Sequence, residues 1–432
     1  MSNSTNINTS LVPVQNTELV KVENILKITN KLLSQNKLVP FLKKNGKYIY
    51  VDSVTMKPVL KKLEYDDASL FKDRFAEVKL DNKIGYIDMM GNEVIPLIYD
   101  DINNFSIKDS IIPVSQNKKA GYIEKYGKEI IPLIYDRVSR FTEGLASVKH
   151  NGKYGYINKN GKVVIPIKFD EAYKFSEGFA RVKLNDKYGF IDKYGKEVLP
   201  FRFEDANDFL DGLVSVKIKG KYGCIDKNGK EVIPFRFEDE VNFFQSLALV
   251  KFKDKYGFIN KDGKEVIPTI YDYANKFSEG LATVKINGKY GCIDKKGNKV
   301  IPFMYDKIFT FSEGLAVVSN KNNFEILSKF GFINREGKVV VPMIYDSAES
   351  FINGYACVYI DKLQVKETSK YSDELRNKFF RVSKRGVIDK KGEEILKPIY
   401  ESIVSYSDGF FKVRLNDKSF YIDKEGREFR EK

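Results

Sequence analysis

Two columns of charged residues recur along this chain at spacings that could do chemistry. A lysine stands two residues before a glycine in copy after copy, among them Lys83, Lys119, Lys153, Lys187, Lys221, Lys255 and Lys289. One cation per copy, as at Lys153, Lys187, Lys221, Lys255 and Lys289, makes a ladder that could track a phosphate backbone with steep salt dependence. An acid recurs as well, at Asp100, Asp136, Asp170, Glu204, Glu238, Asp272, Asp306, Asp346 and Glu401. Repeated carboxylates could serve metal or glycan chemistry. Nothing singles out one pair, however, and Asp in a connector ordinarily accepts backbone N–H groups. Acids also interleave with lysines, as at Asp192-Lys193 and Lys196-Glu197, the pattern of a solvated face with mixed charge.

Groups suited to nucleophilic or metal chemistry are few. The single histidine, His150, lies beside Asn151 and Gly152 with no cysteine or second histidine nearby in sequence to complete a metal set. Cys224 and Cys292 occupy a position where other copies carry Phe190 and Phe258, so they read as small core residues, and Cys357 reads likewise. The Asp226 to Gly229 segment lacks the remaining ligand positions of a calcium loop and reads as a β-turn. There is no glycine-rich phosphate loop, nucleophile elbow or His-Glu helix motif. The sequence therefore assigns no catalytic residue, metal site or cofactor, and the chain is expected not to be an enzyme.

What positions these columns is a repeat. The lysine-linked glycines are Gly85, Gly121, Gly155, Gly189, Gly223, Gly257, Gly291, Gly331 and Gly386, mostly 34 residues apart. Degenerate copies at residues 47–52 and 418–423 raise the number to eleven. In the copy from Gly144, the runs 145–149, 154–158 and 163–167 are short β-formers separated by Asn-Gly pairs, the strongest local hairpin signal. Each copy is thus expected to hold three short antiparallel strands and a connector. The middle strand is apolar on both faces, so neighbouring copies must cover it, and its glycine is expected to admit the next unit. A proline 11 residues after most of these glycines, such as Pro166 and Pro234, places the third strand at a sheet edge.

With 42% hydrophobic and 13% aromatic residues in 432, the chain can bury a large core. The expected fold is all-β, about eleven three-stranded repeats stacked as an extended or curved solenoid. A period of 34 falls below the roughly 40–45 residues of a four-stranded propeller blade, which disfavours that closed form. Residues 1–16 read as a disordered tail. Residues 17–40, with Leu19, Val22, Leu26 and Leu33 near one stripe, read as an amphipathic helix capping the array, and residues 41–432 as the array itself.

Three cysteines cannot form a disulfide framework, which suits a reducing compartment. No signal-peptide pattern opens the chain and no apolar run approaches about 20 residues, so a cytoplasmic protein with no membrane span is expected. The balance of 73 Lys and Arg against 59 Asp and Glu gives +14, which makes polyanions conceivable partners.

The unit G-L-A-x-V-K-x-N-G-K-Y-G-x-I-D-K-x-G-K-x-V-I-P-x-x-Y-D resembles the WG (KWG) repeat family over residues 41–429. The signature Trp is replaced by Tyr154, Tyr188, Tyr222, Tyr256 and Tyr290, by Phe330, and by Ile84, Ala120 and Arg385. The resemblance implies a β-repeat fold of the kind used by general-purpose bacterial scaffolds, with no common activity or cofactor.

Two adjacent copies break the pattern at one place, with insertions at 319–329 and 359–384 on the hairpin tip. Equivalent tips line one side of an array, where insertions commonly build binding surfaces. The candidate partner-binding residues are Phe324, Ile326 and Leu327 in the first insertion and Lys362, Lys366, Lys370, Tyr371, Arg376 and Lys378 in the second, where residues 372–380 carry a helix-start signal. The function expected is a non-catalytic scaffold holding a macromolecular partner, a protein in the first reading. The alternative is a basic regulator or inhibitor of a nucleic-acid enzyme, as in bacterial or phage defence. Oligomeric state has no sequence signal.

Overall fold

The computed structural model describes residues 37–102, 110–321, 328–365 and 379–431. Every copy folds into its own antiparallel sheet, giving eleven sheets in chain order: residues 38–65, 67–99, 101–135, 137–169, 171–203, 205–237, 242–271, 273–305, 307–345, 347–400 and 402–429. These are blades 1 to 11. Blade 1 has three strands and each of the others has four, lettered a to d in chain order. In blade 4 they are Arg137–Val138, Leu145–His150, Lys153–Asn158 and Val163–Phe169. Blade 1 begins at strand b.

The core lies between blades. One cluster joins Tyr156, Ile165 and Phe169 of blade 4 to Phe175, Ala180 and Val182 of blade 5, and the next joins Phe190 and Phe203 of blade 5 to Ala206 and Val216 of blade 6. Removal of this apolar surface from water drives the stacking. Hydroxyls fix the spacing, as where Tyr156 donates to the carbonyl of Tyr173 at 2.7 Å and Tyr122 to that of Ser139 at 2.7 Å.

The two ends of the array meet. Leu42 of blade 1 bridges Arg430, which follows blade 11, and the Glu431 N–H donates to the Leu42 carbonyl at 2.8 Å. Val39 and Val51 of blade 1 share a core cluster with Phe410, Tyr421 and Phe429 of blade 11. Among the described residues blade 1 has no strand a, and Tyr421 donates to the Ala68 carbonyl of blade 2 at 3.2 Å. The fold is an eleven-bladed β-propeller.

This corrects the expected solenoid of three-stranded repeats with an N-terminal helix. The fourth strand, a, is a two-residue element in most blades, such as Asp205–Ala206 inside what the sequence presents as a connector. Strands that short let four fit a 34-residue period, so the comparison with longer blades misleads. No helix occurs among the described residues, and Leu38–Leu42, which begins inside the expected 17–40 cap, is strand b of blade 1. Residues 1–36 lie outside the described residues.

The recurrent glycine has a role other than the one expected. Tyr222 pairs with Phe237 and Cys224 with Ile233, so Gly223 alone faces a bulge of three residues, 234–236, in its own strand d. A Cβ on Gly223 would stand 2.6 Å from the Ile233 carbonyl oxygen and 3.0 Å from the Phe235 ring. The proline of the repeat sits in this bulge of an edge strand, where its missing N–H costs no ladder bond. A different glycine meets the neighbouring blade. Gly195, with φ +81 in the c–d turn, brings its Cβ position to 3.2 Å from Ile165 of blade 4.

Candidate partner-binding surface

In a four-stranded meander the b–c tips and d-to-a connectors share one face, and the a–b and c–d turns share the other. An ordinary b–c tip is short. Asn151 and Gly152 both have positive φ, 50° and 82°, the primed turn that suits a tight hairpin. Six residue pairs lead to that tip, from Leu145 with Asn158 to His150 with Lys153.

Blade 10 departs from this. Its strands b and c, Tyr355–Val365 and Phe379–Asp389, pair over eleven positions, from Tyr355 with Asp389 to Val365 with Phe379. Five further pairs at ~3.3 Å per residue make the two-stranded ribbon roughly 16 Å longer than an ordinary b–c hairpin. Blade 9, alongside, extends by one pair, with Lys321 opposite Ser328. Of the partner-binding candidates only Lys362 is placed, on the ribbon opposite Val382. Phe324, Ile326, Leu327, Lys366, Lys370, Tyr371, Arg376 and Lys378 lie outside the described residues.

On the same face the lysine and acid columns form one device. Lys153 Nζ of blade 4 donates to Asp170 Oδ1 at 2.5 Å, and Asp170 Oδ2 accepts the Asn185 N–H at the blade 5 tip at 2.8 Å. The bond from Lys153 holds the Asp170 carboxyl below the ordinary carboxylate range. Lys83 with Asp100, Lys119 with Asp136, Lys255 with Asp272, Lys289 with Asp306 and Lys329 with Asp346 repeat the ion pair. Lys187 and Lys221, whose column partners are Glu204 and Glu238, are exposed and form no ion pair among the described residues. Three of the five ladder lysines thus carry a matched carboxylate.

A second set of lysines lies on the tyrosines that replace the signature Trp. Lys149 stands opposite Tyr154 on strand b with its Nζ 5.3 Å from the ring centroid. Lys183, Lys217, Lys251 and Lys285 cover Tyr188, Tyr222, Tyr256 and Tyr290 in the same way. Such cation–π contacts keep a half-buried ring and a solvated charge together.

The nine regular copies match a known repeat. The family described as "WG containing repeat" covers residues 84–119, 121–154, 154–188, 188–222, 222–256, 256–290, 290–324, 330–363 and 386–418. The chain belongs to the WG repeat family. No curated protein matches it. Among solved structures it is similar to one described as a eukaryotic initiation factor, at 12% identity and TM-score 0.43, covering 75% of this chain and 96% of that one. It is also similar to Kluyveromyces lactis Hsv2, at 11% identity and TM-score 0.30, covering 60% and 94%. Scores this low carry no argument about this WG-repeat chain.

The remaining chemistry-bearing residues lie in core, strand and turn positions. Cys224, Cys292 and Cys357 are free and buried, and burial pushes the Cys292 thiol up to about 11. His150 meets Tyr135 edge-on, with 6.1 Å between ring centroids. Asp226 Oδ1 accepts the N–H groups of Asn228 and Lys230 at 2.9 Å each, as the turn reading expected. Among the described residues no three His, Cys, Asp or Glu side chains group as metal ligands, and no helix is long and apolar enough to cross a membrane.

Proposed function

We propose that this WG-repeat propeller is a non-catalytic scaffold that captures a protein partner on the b–c tip face, with the blade 10 ribbon as its specificity element. The ribbon carries the reading. It is the largest departure from the repeat, it stands clear of the core, and it shares a face with the insertion of blade 9. Paired strands pre-order a binding edge, which lowers the entropic cost of capture. The ion pairs of Lys153, Lys255 and Lys289 favour a protein partner over a polyanion, since a charge held by a carboxylate releases fewer counterions from a phosphate chain.

Replacing residues 361–383 by Asn-Gly rebuilds the ordinary hairpin, because Ile360 and Lys384 are already paired. The replaced protein should keep its thermal transition and lose the proteins that the full chain co-purifies from native cells. An unchanged set of co-purifying proteins would overturn the assignment to the ribbon, and binding of RNA that falls steeply with salt would favour the polyanion alternative.

A further inference from the structure

Strand b of blade 5 carries an arginine where blades 4, 6 and 8 carry Ser147, Ser215 and Thr283. Arg181 turns into the groove between blades 5 and 6. Its guanidinium carbon lies 3.7 Å from the ring centroid of Tyr173 and 5.5 Å from that of Tyr188. It donates to the Ala206 carbonyl, and its Nε is 3.7 Å from Asp208 Oδ1. The protein thus fills one inter-blade groove with its own guanidinium.

The next groove, between blades 6 and 7, is open. The residues 34 positions on from Arg181, Tyr188, Ala206 and Asp208 are Ser215, Tyr222, Glu240 and Asn242. The serine replaces the arginine, Tyr222 keeps the farther ring, Asn207 replaces Tyr173, the nearer one, and a carboxylate stands where a carbonyl took the arginine's bond. Blade 7 also departs from register. Its strand a is Asn242–Phe244, pairing Asn242 with Leu249, whereas blade 6 pairs Asp205 with Lys217 and Ala206 with Val216. Asp239 and Glu240 are therefore released from strand b and exposed, and a cavity of about 530 Å3 opens, walled by Tyr222, Tyr256, Asp239, Glu240 and Asn242. That volume accepts a side chain with its flanking backbone.

Three carboxylates, Glu238, Asp239 and Glu240, and three lysines, Lys217, Lys251 and Lys276, line the cavity. Lys251 is matched by Glu238 at 3.5 Å and Asp254 at 3.4 Å. Lys217 covers Tyr222 as Lys183 covers Tyr188, an arrangement that blade 5 combines with its bound guanidinium. Glu240 Oε2 accepts the Asn207 and Asn242 amides at 2.8 and 2.9 Å, while Asp239 and Glu240 Oε1 take no hydrogen bond among the described residues. The groove between blades 4 and 5, about 390 Å3, has the serine and tyrosine, but its one lining carboxylate, Glu171, already accepts from Tyr173, Lys183 and Tyr188.

We infer that the groove between blades 6 and 7 is a receptor for an arginine side chain of a protein partner, bound by the exposed carboxylates of Asp239 and Glu240 against the Tyr222 ring. This rests on the reading of the molecule as a protein-binding scaffold. A planar guanidinium offers several donors and a stacking face where an ammonium offers a point charge.

The test is calorimetric titration of the full chain with tri-arginine, tri-lysine and tri-citrulline peptides. The arginine peptide should bind at least tenfold more tightly than the other two, and the exposed double variant Asp239→Asn, Glu240→Gln should abolish that preference. The chain's net charge of +14 opposes nonspecific uptake of cations. Equal binding of the three peptides, no binding, or a preference unmoved by the double variant would each overturn the inference. The ribbon replacement reads partner capture separately, so a failed titration with capture still ribbon-dependent removes the groove and leaves the scaffold.

Discussion

Asp170 and Lys153 are 17 residues apart in the chain and 2.5 Å apart in space, and the same carboxylate also holds the Asn185 N–H of the following blade. The pair is therefore a joint between blades as well as a surface ion pair. Lone exposed pairs contribute little. Repetition around the ring, with a backbone bond attached to each carboxylate, gives this one its weight.

The joint should show as acid sensitivity. Asp100, Asp136, Asp170 and Asp272 are each held below the ordinary carboxylate range, chiefly by the bond from their lysine. With the folded value depressed, the unfolded chain binds more protons as pH falls below about 4. The contribution is present above that pH and is lost as pH drops through the folded values. The melting temperature should fall steeply between about pH 4 and pH 2, by the same linkage, and replacing these four residues by Asn should flatten that profile while lowering the plateau at pH 7. An unflattened profile would place the acid sensitivity elsewhere.

Gly223→Ala tests the bulge. Its added methyl meets the Ile233 carbonyl oxygen at 2.6 Å, a backbone atom with little room to shift. A cost of about 1–3 kcal/mol is expected, as for overpacking in a core, read as a lowered urea midpoint. Stability equal to the parent would mean that strand d relaxes away from the glycine.

The repeat, its hairpins, the edge position of strand d and the burial of both faces of strand c were legible, because each leaves a local mark such as Asn151-Gly152 or Pro166. Strand a left none, since two residues such as Arg137–Val138 carry no alternation. Closure was hidden for a similar reason: Leu42 and Arg430 lie at opposite ends of the array, in its least regular copies. The location of the insertions was readable, but the extension of the second as a ribbon was not anticipated, although Lys362, Leu363, Gln364 and Val365 alternate polar with apolar beyond the ordinary length of strand b. Lysine and acid columns read separately suggested a ladder and a turn, and their constant offset of 17 was the signal that joined them. Arg181 carried no signal because its column is irregular, with Glu77, Leu249 and Val317 at the same place in other blades.

The seam is where the ring should open first. Phe429 is fully buried, packs edge-on against Phe410 at 5.5 Å, and shares its cluster with Val39 and Val51 of blade 1. Phe429→Ala should cost about 3–5 kcal/mol, the range for deleting a buried aromatic. Hydrogen exchange should then quicken first at 38–52 and 410–423, with the central blades 4 to 8 keeping their protection. Uniform loss of protection would show that the ring melts as one unit.

Restoring the family residue tests the cation–π column. Tyr154 is half-buried beneath Lys149, beside the cavity of about 390 Å3, and its hydroxyl has no hydrogen-bond partner among the described residues. A larger ring therefore has space and displaces no hydroxyl bond. Indole is the strongest of the aromatic cation–π partners, so Tyr154→Trp should leave stability unchanged or raise it by about 0.5 kcal/mol. Because the chain has no other tryptophan, the substituted ring also reports its own surroundings. Its emission should be shifted to the blue in the folded protein and return to the solvent value as the ring unfolds. A loss of more than about 1 kcal/mol, beyond the range of a tolerated surface-proximal change, would mean that the groove beside blade 4 has already adapted to tyrosine.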